Sequence, residues 1–247
     1  MADRDAIVAF ADELLEVERY RDYGPIGLQV EGAPEVTKIV CAVSASLELF
    51  ELAAESGAQM VLVHHGIFWD GEPLVIERRL KGRLKVLFER DLSLVAYHLA
   101  LDAHPEIGNA ARLARELGVE VEGNFAEIGV AGSLPEPVSA EIFAARVGKA
   151  LDREPLGFLF GPDPVRTVAI LTGGGGRNLL DAAHAGYDLF LTGEAKEQTR
   201  RDARELGIHF LAAGHHATER LGIQALAERI GERFGVAWEY LELPNPV

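Results

Sequence analysis

Residues 38–65 read KIVCAVSASLELFELAAESGAQMVLVHH. The stretch opens on the apolar run Lys38-Ile39-Val40-Cys41-Ala42-Val43, which has the length and β-branched content of a buried strand. Residues 47–55 then space their apolar side chains as a helix does, and Gly57 supplies the left-handed residue that commonly closes one. A second buried strand over 59–63 runs straight into His64 and His65. Strand, helix and strand in succession point to α/β architecture.

The same alternation extends outward in both directions. Residues 2–20 place Ile7, Phe10, Ala11, Leu14 and Leu15 at helical spacing. Asp22-Tyr23-Gly24-Pro25 is a turn signal, followed by a short extended stretch over 27–30. A helix is expected over 81–90, a strand over 92–97 that reaches His98, and a helix over 109–117 stopped by Gly118. The second half repeats the plan. It has a strand over 167–171, a glycine turn over 173–176, and a helix over 179–185 closed by Gly186. A strand over 188–191 then leads to Thr192-Gly193-Glu194, and a helix over 197–205 is capped by Gly207. The last elements are a strand over 208–212 reaching Gly214-His215, a long helix over 217–234 and a strand over 236–243.

The halves align as copies. With Gly57 set on Gly186, Met60-Val61-Leu62 falls on Leu189-Phe190-Leu191, and His65 falls on Glu194. After one length change, Leu94 to His98 lies over Leu211 to His215, and Asp102 lies over Glu219. The fold class expected is therefore α/β, with two similar α/β domains arising from an internal duplication and a metal site between them. The boundaries expected are 1–125 for the first domain, which the C-terminal helix and strand at 220–247 can join, and 126–219 for the second.

Composition narrows the function classes. The chain has 247 residues, 48% hydrophobic and 26% charged, which is ordinary for a globular protein with a real core. Its 24 basic and 39 acidic residues leave a net charge of -15. Such a surface repels phosphate backbones and counts against nucleic-acid binding. No apolar run is long enough to cross a bilayer, and the acidic N-terminal stretch reads as an amphipathic helix, not as a signal peptide. Cys41 is the only cysteine, so no intrachain disulfide forms and a cytoplasmic setting is expected.

Function in α/β sheets gathers at the carboxyl ends of strands. Those ends carry His64-His65, His98, Thr192-Gly193-Glu194 and His215. His98 and His215 are each followed four residues later by a carboxylate, Asp102 and Glu219, a spacing that lets both side chains converge on one ion. The candidate ligands are thus His64, His65, His98, Asp102, His215 and Glu219. Six donors exceed the needs of one open site with three protein ligands and suit two ions. Imidazole and carboxylate without thiolate fit divalent zinc, iron, manganese, nickel or cobalt. Glu194, aligned with His65, is the candidate general acid or base. The competing reading of Glu194 is a carboxylate that supports a ligand or a helix N-terminus. His216 is expected to point away from the metals, and His104, His184 and His209 to be structural or exposed. Gly173-Gly174-Gly175-Gly176 matches neither dinucleotide nor P-loop pattern and reads as a plain turn.

These residues resemble a known family, the dinuclear-metal-centre hexameric proteins, also called GTP cyclohydrolase 1 type 2 homologues. The matching segments are Gly27-Leu28-Gln29-Val30, His64-His65, Tyr97-His98 through Asp102, Gly108-Asn109, Thr192-Gly193-Glu194, and Gly214-His215 through Glu219. They span nearly the whole chain, and the compact bacterial branch is the better match because no domain is inserted between the halves. The resemblance implies two α/β domains, a two-metal site from the six ligands, and a toroidal homohexamer. Two positions depart from the family pattern: Ile26 stands where Asn is common and Gly66 where Pro is common.

Three functions follow. The leading one is a metal-dependent hydrolase acting on a nucleotide or related phosphorylated small molecule. The others are a metal storage or insertion factor, and a hexameric scaffold with structural metals.

Overall fold

A computed structural model describes residues 1–247. The chain divides into two compact units, Met1–Leu101 with Gly222–Pro244, and Asp102–Leu221 with Asn245–Val247. In chain order the first unit supplies β1 (Ala2–Asp3), α1 (Arg4–Leu14), β2 (Gly27–Val30), β3 (Glu35–Val36), β4 (Lys38–Ser44), α2 (Leu47–Glu55), β5 (Met60–His65), α3 (Arg78–Glu89) and β6 (Ser93–Ala96), and α4 (Leu99–Asp102) follows at its boundary. The second supplies α5 (Asn109–Leu117), β7 (Glu120–Phe125), β8 (Gly129–Val138), α6 (Ala140–Leu151), β9 (Leu156–Leu159), β10 (Val165–Leu171), α7 (Leu179–His184), β11 (Leu189–Thr192), α8 (Thr199–Leu206), β12 (His209–Ala212) and α9 (His215–Thr218). Helix α10 (Arg220–Phe234) and strand β13 (Ala237–Tyr240) complete the chain.

The first unit is built on a five-stranded sheet in the order β13-β4-β5-β6-β2. Its first four strands are parallel, and β2 runs antiparallel to β6. Alternate residues of β4 and β5 face opposite sides of the sheet. Val40, Ala42, Val61 and Val63 pack with Leu49, Phe50 and Ala53 of α2, while Ile39, Cys41 and Leu62 on the other face are equally buried. Burial on both faces is why these strands read as unbroken apolar runs. Burying Leu49 and Phe50 contributes about 1.5–3 kcal/mol each. Ser46 starts α2 by accepting a hydrogen bond from the Leu49 amide (3.0 Å), and Gly57, at φ +76°, closes it.

The second unit has a six-stranded sheet in the order β7-β8-β10-β11-β12-β9. Strands β10, β11 and β12 are parallel, flanked by antiparallel β8 and β9. Val168, Ile170, Leu189 and Leu191 pack against α5 and α6, while Ala169, Leu171, Phe190 and Phe210 pack against α7 and α8. Each unit therefore carries three sequential parallel strands with an antiparallel strand beside the third. In both, the expected alignment matches the register of the first strand pair, Ile39↔Met60 and Val168↔Leu189. The third strand is offset by one residue: Leu62 pairs with Val95, but Leu191 pairs with Leu211.

Two sequence expectations change. Residues 102–125 belong with the second unit, not the first: Leu113 and Leu117 of α5 join the core around Val168, and β7 pairs with β8. The elements between 119 and 166 had no clear pattern to reveal them. Most of β7 is exposed, so its side chains do not alternate, and β8 contains Pro135 and Pro137. The single helix expected over 217–234 is broken at Glu219, which lies between α9 and α10 at φ -108° and ψ 8°.

Candidate metal centre

Parallel pairing of β5 with β6, in the register Val63↔Ala96, brings the carboxyl ends of both strands to one place. His64, His65 and His98 therefore leave the sheet together. Their ring centroids stand 4.7 Å (His64–His65), 5.0 Å (His64–His98) and 5.4 Å (His65–His98) apart. One ring nitrogen from each lies within 4.8 Å of the others, close enough for three imidazoles to hold one ion.

Each ring is fixed through Nδ1. His64 is buried, and its Nδ1 donates to the carbonyl of Tyr97 (2.9 Å), which places the lone pair of the neutral ring on Nε2. His65 Nδ1 is 2.9 Å from Ser44 Oγ, a partner set by the Ser44↔His65 register of β4 and β5. His98 Nδ1 donates to Asp22 Oδ1 (2.8 Å). Metal-bound histidines show this arrangement, in which the outer nitrogen is engaged and the inner one faces the ion. Burial pushes the Asp22 carboxyl up, but the His98 contact and the backbone amides of Tyr23 and Leu99 outweigh it and hold it below the usual carboxylate range. The Trp69 ring stands edge-on to His98 at 5.2 Å.

In the second unit, His215 follows Gly214 at the end of β12. Its Nδ1 donates to Glu194 Oε1 (2.6 Å), and its Nε2 lies 3.2 Å from Glu219 Oε2, one helical turn on. The neighbouring carboxylates, Glu219 foremost and then Glu194, push His215 up to about 9, against the opposing effect of burial. Glu194 is held low by His215 and then by Lys196, whose Nζ is 3.0 Å from Oε2. An imidazole between two carboxylates suits a cation in place of its extra proton. Gly173 packs under this group at φ +63°, and its amide donates to Thr218 Oγ1 (3.1 Å). The glycine turn at 173–176 thus serves close packing: a Cβ on Gly176 would stand 2.5 Å from the Glu194 carbonyl.

The sequence-derived residues fall as follows. His64, His65 and His98 meet in the first unit, and His215 and Glu219 meet in the second with Glu194 behind them. Asp102 is buried at the end of α4, where its Oδ1 accepts from Asn109 Nδ2 (2.8 Å). His216 is buried, and its amide donates to the Val247 carbonyl (3.1 Å). His104 Nδ1 accepts from the Glu106 and Ile107 amides, His209 Nε2 donates to the Pro162 carbonyl, and His184 is exposed. Asp22, Ser44, Trp69 and the Tyr97 carbonyl were not legible as site groups. Ser44 follows once the β4–β5 register is known. Asp22 reads only as part of a turn, because no spacing links it to His98, 76 residues away. The donor set fits divalent transition metals: imidazoles and carboxylates converge, and the one thiol, Cys41, is buried within β4.

The Duf34/NIF3 (NGG1p interacting factor 3) family profile matches residues 2–246. A GTP cyclohydrolase 1 type 2 homolog of Pseudomonas aeruginosa is 49% identical over 245 residues, covering 97% of each chain. The Escherichia coli K12 protein of the same name is 46% identical over 236 residues, covering 95% of this chain and 96% of its own. Among solved structures, ybgI, a protein of unknown function, superposes with a TM-score of 0.97 at 44% identity over the whole of both chains. TTHA1606 of Thermus thermophilus gives 0.92 at 38% identity, also over both whole chains. The chain belongs to the Duf34/NIF3 family.

Proposed function

We propose that this protein is a metal-dependent hydrolase with two divalent ions per chain, acting on a nucleotide or related phosphorylated small molecule. The observation that carries the reading is the shared outer engagement of four imidazoles: His64, His65, His98 and His215 each have Nδ1 at a hydrogen-bonding partner. Such rings are oriented in advance for metal binding through Nε2. His64, His65, His98, Asp102, His215 and Glu219 would hold the ions. Asp102 enters through its burial and its spacing from His98. The proposed internal duplication is supported by the similar strand order of the two sheets.

When bound, the ions would supply Lewis acidity, acidifying water and offsetting negative charge on a substrate oxygen. The chain's own residues do the rest. Tyr97, Ser44, Asp22 and Glu194 hold the rings. Glu194 is the group proposed to exchange a proton, because its side chain is 28% exposed whereas that of Glu219 is 4% exposed. The nucleotide class is supported by the name that the bacterial relatives carry. A net charge of -15 leaves phosphate binding to a local cation, which the metals would provide. A homohexamer and a cytoplasmic setting complete the proposal.

The test is a hydrolysis screen of the metal-loaded protein with nucleotides, pterin precursors and phosphoesters, run beside Glu194→Gln and His64→Ala. Turnover that is lost in both variants supports the reading. A folded, metal-loaded wild type that turns over none of them contradicts it and favours metal storage or insertion.

A further inference from the structure

Asp22 is a buried carboxylate that the ligand set does not use. Its side chain is 2% exposed. A carboxylate so enclosed needs hydrogen bonds to replace its lost water. Three donors do so. Oδ1 accepts from the Tyr23 amide (2.7 Å) and from His98 Nδ1 (2.8 Å), and Oδ2 accepts from the Leu99 amide (2.9 Å). One backbone donor comes from the turn before β2 and the other from the residue after His98. They fix the carboxylate, and the carboxylate fixes the ring.

The first unit's other two histidines have neutral partners, a carbonyl for His64 and a hydroxyl for His65. At His98 the partner of Nδ1 is a carboxylate. A charged acceptor makes a stronger hydrogen bond and a more basic imidazole. We propose that Asp22 is a positioning residue of the metal centre, committing His98 to the tautomer with Nδ1 protonated and strengthening Nε2 as a metal donor. The inference rests on the metal-centre reading above. The bland role, a cap on the single turn of α4 through Leu99, would affect stability and leave the ring's tautomer and metal affinity alone.

The experiment uses the full chain with Asp22→Asn, which keeps side-chain volume and one acceptor, and Asp22→Ala. Nitrogen-15 NMR of the metal-free proteins reads the His98 tautomer. Zinc titration against a competing chelator reads affinity, and the visible spectrum of the cobalt form reads donor strength. Wild type is expected to show Nδ1–H at His98, with Nε2–H appearing in Asp22→Ala, while Asp22→Asn removes the charge. Zinc affinity should fall by about 10- to 100-fold and the cobalt bands should shift. Unchanged affinity and spectrum in Asp22→Asn, with wild type binding zinc, overturn this inference alone. A wild type that binds neither zinc nor cobalt overturns the metal-centre reading and this inference with it. If Asp22→Ala fails to fold, Asp22→Asn carries the comparison.

Discussion

Gly173 lies against Glu219 so closely that a Cβ at this position would stand 2.1 Å from Oε1 and 3.2 Å from His215 Nε2. The backbone there has φ +63°, a conformation that side chains with a Cβ rarely adopt. The glycine turn therefore supports the donor pair from beneath. Gly173→Ala is expected to destabilise the protein by about 1–3 kcal/mol from backbone strain. It should also displace Glu219 and reduce metal content, although no ligand is altered. Thermal unfolding and elemental analysis of the purified variant check both effects.

Cys41 is fully buried in β4, and burial pushes its thiol up to about 12. A group whose folded value is raised favours the folded state below its unfolded value. That contribution is lost as the pH rises towards the folded one. Stability should therefore decline from about pH 9 upward, and Cys41→Ala should flatten that decline. In native protein at pH 8 the thiol should react with an aromatic disulfide reagent only as fast as the chain opens, and at once in denaturant. Absorbance at the two conditions settles it.

Leu62 is fully buried in β5, two residues before the histidine pair. Leu62→Ala is expected to cost about 2–5 kcal/mol in a urea titration, from lost transfer energy and the cavity left behind. Rings carried by a loosened strand end should bind metal less tightly, so metal content should fall with stability.

The proposed hexamer predicts a sedimenting mass of about six chains at micromolar concentration, the closed ring expected of a symmetric assembly. A stable monomer of 26.8 kDa would contradict it.

Much of the fold was legible because both sheets bury their parallel strands on two faces. Residues 38–43, 60–63 and 189–191 carry that burial openly as apolar runs. Gly57, Gly118 and Gly207 marked helix ends because each adopts positive φ. Residues 119–166 were silent, since an exposed hairpin strand such as β7 leaves no alternation to read. The candidate donors were legible for a simple reason: histidines at strand ends and His-x-x-x-acid spacing are local patterns. Their supports were not. Asp22 reaches His98, Ser44 reaches His65, and the Tyr97 carbonyl reaches His64 only through tertiary pairing. Glu194 was singled out by its place after a strand, and the structure puts it against His215.

The central claim is that His64, His65, His98, Asp102, His215 and Glu219 are ligands of two divalent ions. It is tested most directly by elemental mass spectrometry of metal per chain, on tag-free wild type beside His65→Ala and Glu219→Ala. The account predicts about two ions in wild type, as in other two-metal sites, with a fall in each variant. A wild type that retains no metal and takes none up on titration would contradict it.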